Sequence, residues 1–398
     1  MFTLTPPGSS TRRTLRNPVN PRPTTITIEQ LAAELDAALA VPVAWRAAFL
    51  SVSRHHFLPP QVWVDNDQGK PQPLSRDDDP DQWRQAAYRN VPILIQFDDG
   101  QTVWPDTGGE LCTSSASKPE LMLTMLVALD VHDGHTVLEI GTGTGYNAAL
   151  LAARLGALKV TTVEIDPVLA DRARAALHAI DLPVTVVTGD GIHGHPERAP
   201  YDRVIATAAV RVGEFPYAWV RQTRPGGVIV SPMRTDFGGS VPLVRFTVDE
   251  NGTATGSPVG RVGFMAVRSQ RTPEWTLDHF DPNDPAAEVS STTLKPWRVA
   301  ENPDVRWAIG TRVPHCIWEH QPPSDDRKHH LLWLLDPVGG SWAMARYDDS
   351  PGPRQIRQYG PRRLWDEVEA AFRCWAAEGK PPLDRSQITV TLNTQTVS

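Results

Sequence analysis

The chain is predicted to fold as a doubly wound, Rossmann-like α/β sheet, with an N-terminal helical segment before it and a smaller α+β domain after it. Three observations carry that expectation. Short β-branched strands alternate with helical stretches, a glycine-rich turn joins one strand to its helix, and later strands run out into acidic residues.

Residues 1–24 are rich in Thr, Pro, Arg, Ser and Asn, with few apolar side chains, and read as a disordered leader. Ile28 to Ala40 has helical spacing, and Asp65 to Gln85 reads as a polar, proline-punctuated loop. Ser117-Lys-Pro-Glu120 reads as a capping box ahead of the apolar Leu121, Met125, Leu126 and Leu129. Val137, Leu138 and Ile140 then form a strand, Gly141, Gly143 and Gly145 a turn, and Ala148 to Ala153 a helix. Further strands are expected at Val160–Glu164, Val184–Thr188 (running into Gly189-Asp190-Gly191) and Tyr201–Thr207. Arg224-Pro-Gly-Gly227 then turns into Val228–Pro232.

The core is expected to span 25–268. Beyond it the composition shifts, with eight of the thirteen tryptophans after residue 270. Cys316–Trp318, His330–Leu335, Ser341–Arg346 and Ile388–Leu392 read as strands. Leu364, Val368, Ala371, Phe372 and Trp375 fall at helical spacing. A small substrate-recognition domain over 269–398 is the expectation, its tryptophans mostly core and a minority lining a peptide groove.

A glycine-rich strand-to-helix turn lets backbone N–H groups and a helix N-terminus approach a ligand closely. The dinucleotide fingerprint needs a sixth-position glycine, where this chain has Tyr146. Glu139 within the strand, three alternating glycines and a second acid at Glu164 suit instead a nucleoside carrying a charged amino-acid tail, S-adenosylmethionine. Glu164 stands where a carboxylate caps ribose hydroxyls, though a solvated strand-end acid is the plainer reading of it alone. Asp190, between two glycines, suits an adenine amino group. The expected cofactor set is Glu139, Gly141, Thr142, Gly143, Gly145, Tyr146, Asn147, Glu164, Ile165, Asp190, Gly191 and Ile192, with S-adenosylhomocysteine as product.

Net charge is −7 with Lys and Arg scattered, so no electrostatic footprint for nucleic acid is present. Cys112, Cys316 and Cys374 lie far apart with no C-x-x-C pair, pointing to neither a disulfide framework nor a metal site. No stretch is long and apolar enough for a bilayer span, and the N-terminus lacks an apolar signal region. A cytoplasmic, monomeric protein is expected.

The order of segments resembles the protein L-isoaspartate O-methyltransferases, class I methyltransferases. Arg54-His-His-Phe-Leu-Pro59 matches their R-H-x-F-V-P, Tyr88 with Val91-Pro92 their tyrosine turn, and Ser115-Ala-Ser-Lys-Pro119 loosely their T-I-S-x-P. The glycine turn, G-D-G, Ala199-Pro-Tyr-Asp202 and Gln222-Thr-Arg-Pro-Gly-Gly227 follow in the family's order, so the match covers roughly 30–268. The usual Tyr-x-Asp is here Tyr88-Arg-Asn90, an insertion runs from Asp98 to Leu111, and about 130 residues follow the core that repair enzymes lack. Phrases such as T-S-S-A-S-K-P and G-P-R-R-L-W-D-E-V resemble an actinobacterial branch that accompanies ATP-grasp peptide maturases, the ring-closing enzymes of graspetides. A related branch serves lanthipeptides. That resemblance implies as substrate a ribosomal precursor peptide, pre-modified by an ATP-grasp ligase.

Methyl transfer to a carboxylate needs no general base, because an Asp side chain, with a pKa near ~3.9, is already ionised at neutral pH. Alignment and exclusion of water are what help. The resemblance makes Ser117 the candidate to hold the carboxylate, against a sole role as helix cap. Ser115, Tyr88, His55 and Gln222 are candidate substrate contacts. Against this, His55 and His56 read more plainly as structural hydrogen-bonders, and Gln222 as a loop residue. Three functions compete: Asp methylation in a ribosomal peptide leading to aspartimide, repair of isoaspartyl residues, and an inactive cofactor-retaining peptide-binding module. The extension favours the first over the second, and the full set of cofactor motifs weighs against the third.

Overall fold

A central mixed sheet carries the molecule, and a buried arginine ties the N-terminal part to it. The computed structural model describes residues 27–398 except 67, 240 and 326, so the expected leader lies outside the described residues. Four parallel strands, Val137–Ile140, Val160–Glu164, Thr185–Thr188 and Tyr201–Ala206, stand where the alternation predicts them. Their order is Thr185–Thr188, Val160–Glu164, Val137–Ile140, Tyr201–Ala206, then Thr223–Arg234, also parallel. The chain therefore reverses direction across the sheet between Val137–Ile140 and Tyr201–Ala206, the switch point where such sheets open a crevice. Val241–Val248 and Ala254–Val262 extend the sheet antiparallel.

The N-terminal helix Ile28–Leu39 starts on a capping box between Thr27 and Gln30 and buries Leu31 and Leu35. It shares one core with Val43–Ser51, the helix Tyr146–Leu155 and one face of the sheet, where Leu126, Ala149 and Val230 are fully buried. The expected loop at 65–85 is a correction: it holds the strand Pro71–Ser75 and the helix Pro80–Ala87. With Gln61–Asp65, Ile93–Phe97 and Cys112–Ala116, that strand builds a four-stranded antiparallel sheet. Prolines 71 and 73 hid it; they are tolerated because the strand lies at the sheet edge. The expected capping box at Ser117 is also absent. Lys118 takes the N-cap position with no side-chain bond, and Asn90 Oδ1 accepts the Glu120 N–H at 3.1 Å instead.

The C-terminal part forms a five-stranded antiparallel sheet ordered Glu288–Thr292, Arg354–Tyr359, Ser341–Tyr347, His330–Asp336, Ile317–Gln321. Helices Pro303–Gly310 and Leu364–Ala377 cover one face, burying Trp365, Val368 and Phe372. Of the eight late tryptophans, five are buried. The division at 268 is cleaner in sequence than in space. Ile388–Val390 pairs with Ala254–Gly256 and Gln395–Val397 pairs with Ile388–Val390, so the last strands belong to the central sheet. The Gln395 amide accepts from the Phe215 N–H at 2.9 Å and donates to the Phe215 carbonyl at 2.8 Å. No helix among the described residues is long and apolar enough to cross a membrane.

Arg54, 1% exposed, donates to five carbonyls, those of Ala87, Arg89, Val91, Ala116 and Ser117, at 2.9–3.3 Å. Burial pulls its pKa down to about 10, so it stays charged at neutral pH. Carbonyl dipoles, not a carboxylate, compensate it. Arg54→Met should strand those carbonyls and lower unfolding free energy by about 3–5 kcal/mol in urea titrations. Arg54→Lys should recover only part of the loss, since three ammonium donors cannot serve five acceptors. Wild-type stability in Arg54→Met would refute this role.

Candidate active site

The carboxyl ends of the parallel strands open into one pocket, and most of the residues expected from the glycine turn meet there. Its wall includes Gly141, Thr142, Gly143, Tyr146, Asn147, Glu164, Ile165, Asp190 and Gly191, with Ser115 and Ser117 opposite. Glu164 fixes the turn: its carboxylate accepts the Gly143 N–H at 2.8 Å and the Asp166 N–H at 3.1 Å. Gly141 has φ +90°, and a Cβ there would lie 2.6 Å from Thr207 Oγ1, whose hydroxyl donates to the Gly141 carbonyl. A Cβ on Gly191 would press to 2.4 Å from Ile140. Asp190 accepts the Ile192 N–H through Oδ1, and among the described residues Oδ2 has no protein partner.

One further atom points to a ligand. Asn147 Oδ1 is buried with no hydrogen-bond partner, on a residue that lines the pocket. Orphaned buried polar atoms are costly and uncommon. Asn147 Oδ1, the Glu164 and Asp190 carboxylates and the side-chain-free turn at Gly143 together fit a nucleoside bearing a polar, charged tail.

Six expected residues lie elsewhere. Glu139 is fully buried beneath the turn, accepting from Asn147 Nδ2 and Thr162 Oγ1, both at 2.6 Å, so it orients Asn147 rather than lining the pocket. Gly145 faces Ala173, where a Cβ would come within 3.2 Å, and so serves helix packing. Ile192 packs beside the pocket without entering its lining. Gln222, 3% exposed, accepts the His195 N–H and donates to the His193 carbonyl, bracing that loop. His55 Nδ1 and the Tyr88 hydroxyl are 2.6 Å apart, and His55 opens onto a separate hollow with Arg76 and Arg84. Burial first, then neighbouring His56 and Arg84, lowers the His55 pKa to about 4, leaving it neutral.

Ser117 is half-buried at the pocket wall. Its carbonyl is held by Arg54 at 2.9 Å, and its hydroxyl makes no bond to the described protein. What sequence reading missed is the opposite rim, Met265 to Arg271, which includes the very residue taken as the domain boundary. Arg268 and Arg271 both pair with Asp99 of the insertion, at 2.9 and 2.7 Å. Gln96 donates to Asp166 at 2.9 Å, and Arg268 lies 3.7 Å from the same carboxylate. The one available signal was the pair of arginines three residues apart just after a strand, a pattern too common to read.

The family model for Protein-L-isoaspartate(D-aspartate) O-methyltransferase matches residues 72–272. A protein-L-isoaspartate O-methyltransferase 2 of Archaeoglobus fulgidus is 35% identical over 194 residues, 48% of this chain and 79% of its own length. The protein-L-isoaspartate O-methyltransferase of Azorhizobium caulinodans is 43% identical over 185 residues, 46% of this chain and 76% of its own. A solved protein-L-isoaspartate O-methyltransferase structure aligns at 21% identity and TM-score 0.54, a likeness of fold alone, over 94% of this chain and 99% of its own. An overlap that wide reaches well past residue 268.

Desolvation raises the Glu139 pKa from 4.5 to about 7, opposed by its bonds to Thr162 and Asn147. The folded state thus binds this proton more tightly than the unfolded state does. Its contribution is fullest below pH 4.5 and declines as pH rises through about 7, by about 3 kcal/mol at most. Glu139→Gln should remove that decline. Unfolding free energies of both proteins between pH 5 and 8 check this, and parallel pH profiles would refute it.

Proposed function

The chain belongs to the protein-L-isoaspartate(D-aspartate) O-methyltransferase family and is an S-adenosylmethionine-dependent carboxyl O-methyltransferase; from that premise we propose that it esterifies the free carboxylate of L-isoaspartyl residues in peptides or proteins. When bound, the cofactor supplies an electrophilic methyl group carried on a sulfonium. Glu164 and Asp190 are the residues that would hold its ribose hydroxyls and adenine amino group, and Gly141, Gly143, Tyr146 and Asn147 its tail. Family membership also sets aside the inactive-module reading.

The observation that carries the proposal is the make-up of the pocket at the strands' carboxyl ends. Carboxylate acceptors and the glycine turn line it together with Ser117, whose hydroxyl makes no bond to the described protein. That hydroxyl donates to a carboxylate without giving up its proton, leaving the substrate oxygen ionised and nucleophilic. Arg54 fixes the Ser117 backbone, so the hydroxyl is aimed before substrate arrives. Arg268 and Arg271 stand at the rim, both paired with Asp99, and fix one side of the entrance.

A second reading is an ordinary Asp in a ribosomally made peptide, pre-cyclised by an ATP-grasp ligase. There the next backbone nitrogen attacks the methyl ester and methanol leaves, closing an aspartimide. The insertion favours it: Asp99 is bound by Arg268 and Arg271 across the mouth, which restricts entry to substrates of particular shape.

Offering linear isoaspartyl peptides and matched Asp peptides, with mass spectrometry of the products, separates the two. Methyl gain confined to isoaspartyl peptides supports the first reading. Methylation of Asp alone, followed by loss of methanol, replaces it with the second. Ser117→Ala should lower kcat by about tenfold to a hundredfold, one hydrogen bond to a charged group. Its Tm should hold, because Ser117 caps no helix. Unchanged kcat would remove Ser117 from the chemistry.

A further inference from the structure

A groove of about 1490 Å³ leaves the active-site mouth and runs between the insertion and the segment after Arg271. Ala266 and Arg271 line both the groove and the pocket, so the two spaces adjoin. The insertion forms a fixed wall. Trp63 donates from its indole to the Asp106 carbonyl at 2.8 Å, and Trp104 to the Val62 carbonyl at 3.2 Å. Asp98 accepts the Glu110 and Leu111 N–H groups and closes the loop's base.

The surface of this groove is unusual in two ways. Val103 and Leu111 line it while 72% and 47% exposed, and Trp104 and Trp275 add half-buried aromatic faces. Its cations are consumed internally: Arg271 by Asp99, and Arg234 by Asp236 and Thr272. Its exposed carboxylates are not. Asp106, Glu110 and Glu274 line the groove, and among the described residues none has an ion-pair partner. The inner end is thus neutralised by its own ion pairs, and the outer rim is negative and free.

We propose that this groove seats the peptide chain flanking the methylated residue, and that it selects flanks carrying lysine or arginine beside an apolar side chain. The proposal rests on the carboxyl-methylation reading for the identity of the residue delivered to the pocket. Charge and shape supply the rest. A cationic side chain reaches the three rim carboxylates while its aliphatic stem and an apolar neighbour cover Val103, Leu111 and the indole faces. An acidic flank meets repulsion along the same path.

The test uses the full chain with S-adenosylhomocysteine and two fluorescein-labelled isoaspartyl peptides, identical except for lysines or glutamates on the flanks. Anisotropy should show the lysine peptide bound roughly five to ten times more tightly at low salt, a difference that shrinks at about 0.5 M salt. D106N/E110Q/E274Q should bring the ratio close to one with Tm unchanged, and methyl transfer at saturating peptide should persist. Equal binding of the two peptides, or a ratio that survives the triple variant, overturns the groove. Binding is read without turnover, so the two ideas fail separately. A lysine preference without methylation of any peptide sinks the carboxyl-methylation reading alone, and methylation without preference sinks the groove alone.

Discussion

One guanidinium with no acidic partner holds the active site in register. Arg54 sits in the short turn after the second helix, yet its donors collect carbonyls from the end of the helix Pro80–Ala87, the loop after it and the strand end at Ala116–Ser117. The regular backbone ladder here ends at the pairing of Ile93 with Ala116, and Arg54 bridges the segments beyond it. Desolvating a charge is expensive, and five carbonyl dipoles at short range offset it only if all are in place. The arrangement is cooperative as a result, since moving any one loop weakens the solvation of the shared charge. Ser117 inherits its position from that requirement.

The other wall is organised by carboxylates with two tasks. Glu164 accepts backbone N–H groups with both oxygens and Asp190 with one, and so they shape the turns that carry them. A carboxylate has about four lone-pair directions, so further donors can be accepted without breaking those bonds. Glu139 lies one layer deeper, orienting Asn147 from below. Such layering limits reorganisation when ligand arrives, since the acceptors are already aimed by the bonds that fold them.

The parallel sheet, its order of motifs and the glycine turn were legible because each rests on local chemistry: β-branched runs, glycines at positive φ, acids at strand ends. Glu139 and Gly145 lie outside the pocket lining for a shared reason, and Gln222 takes the loop role of its plainer reading. The residue types of the first two suit a ligand, but strand alternation and helix contact turn them elsewhere, and those are tertiary facts. The capping box at Ser117 failed because Asn90, distant in sequence, supplied the cap first. Arg268 and Arg271 were invisible as site residues since their meaning depends on Asp99, about 170 positions earlier. The strand Pro71–Ser75 was lost to its prolines.

The clasp between Gln395 and Phe215 carries a consequence for how the protein is made. The outer strands of the central sheet come from residues synthesised long after its middle, with the whole tryptophan-rich sheet emerging between them. On the ribosome, Ala254–Gly256 must therefore wait with its outer side unpaired, the kind of edge that invites wrong partners. The strand that carries it reads on as T-G-S-P-V-G-R-V, crowded with glycine, proline and charge, which disfavour strand addition by strangers. The nascent chain thus carries its own protection until its final strands arrive.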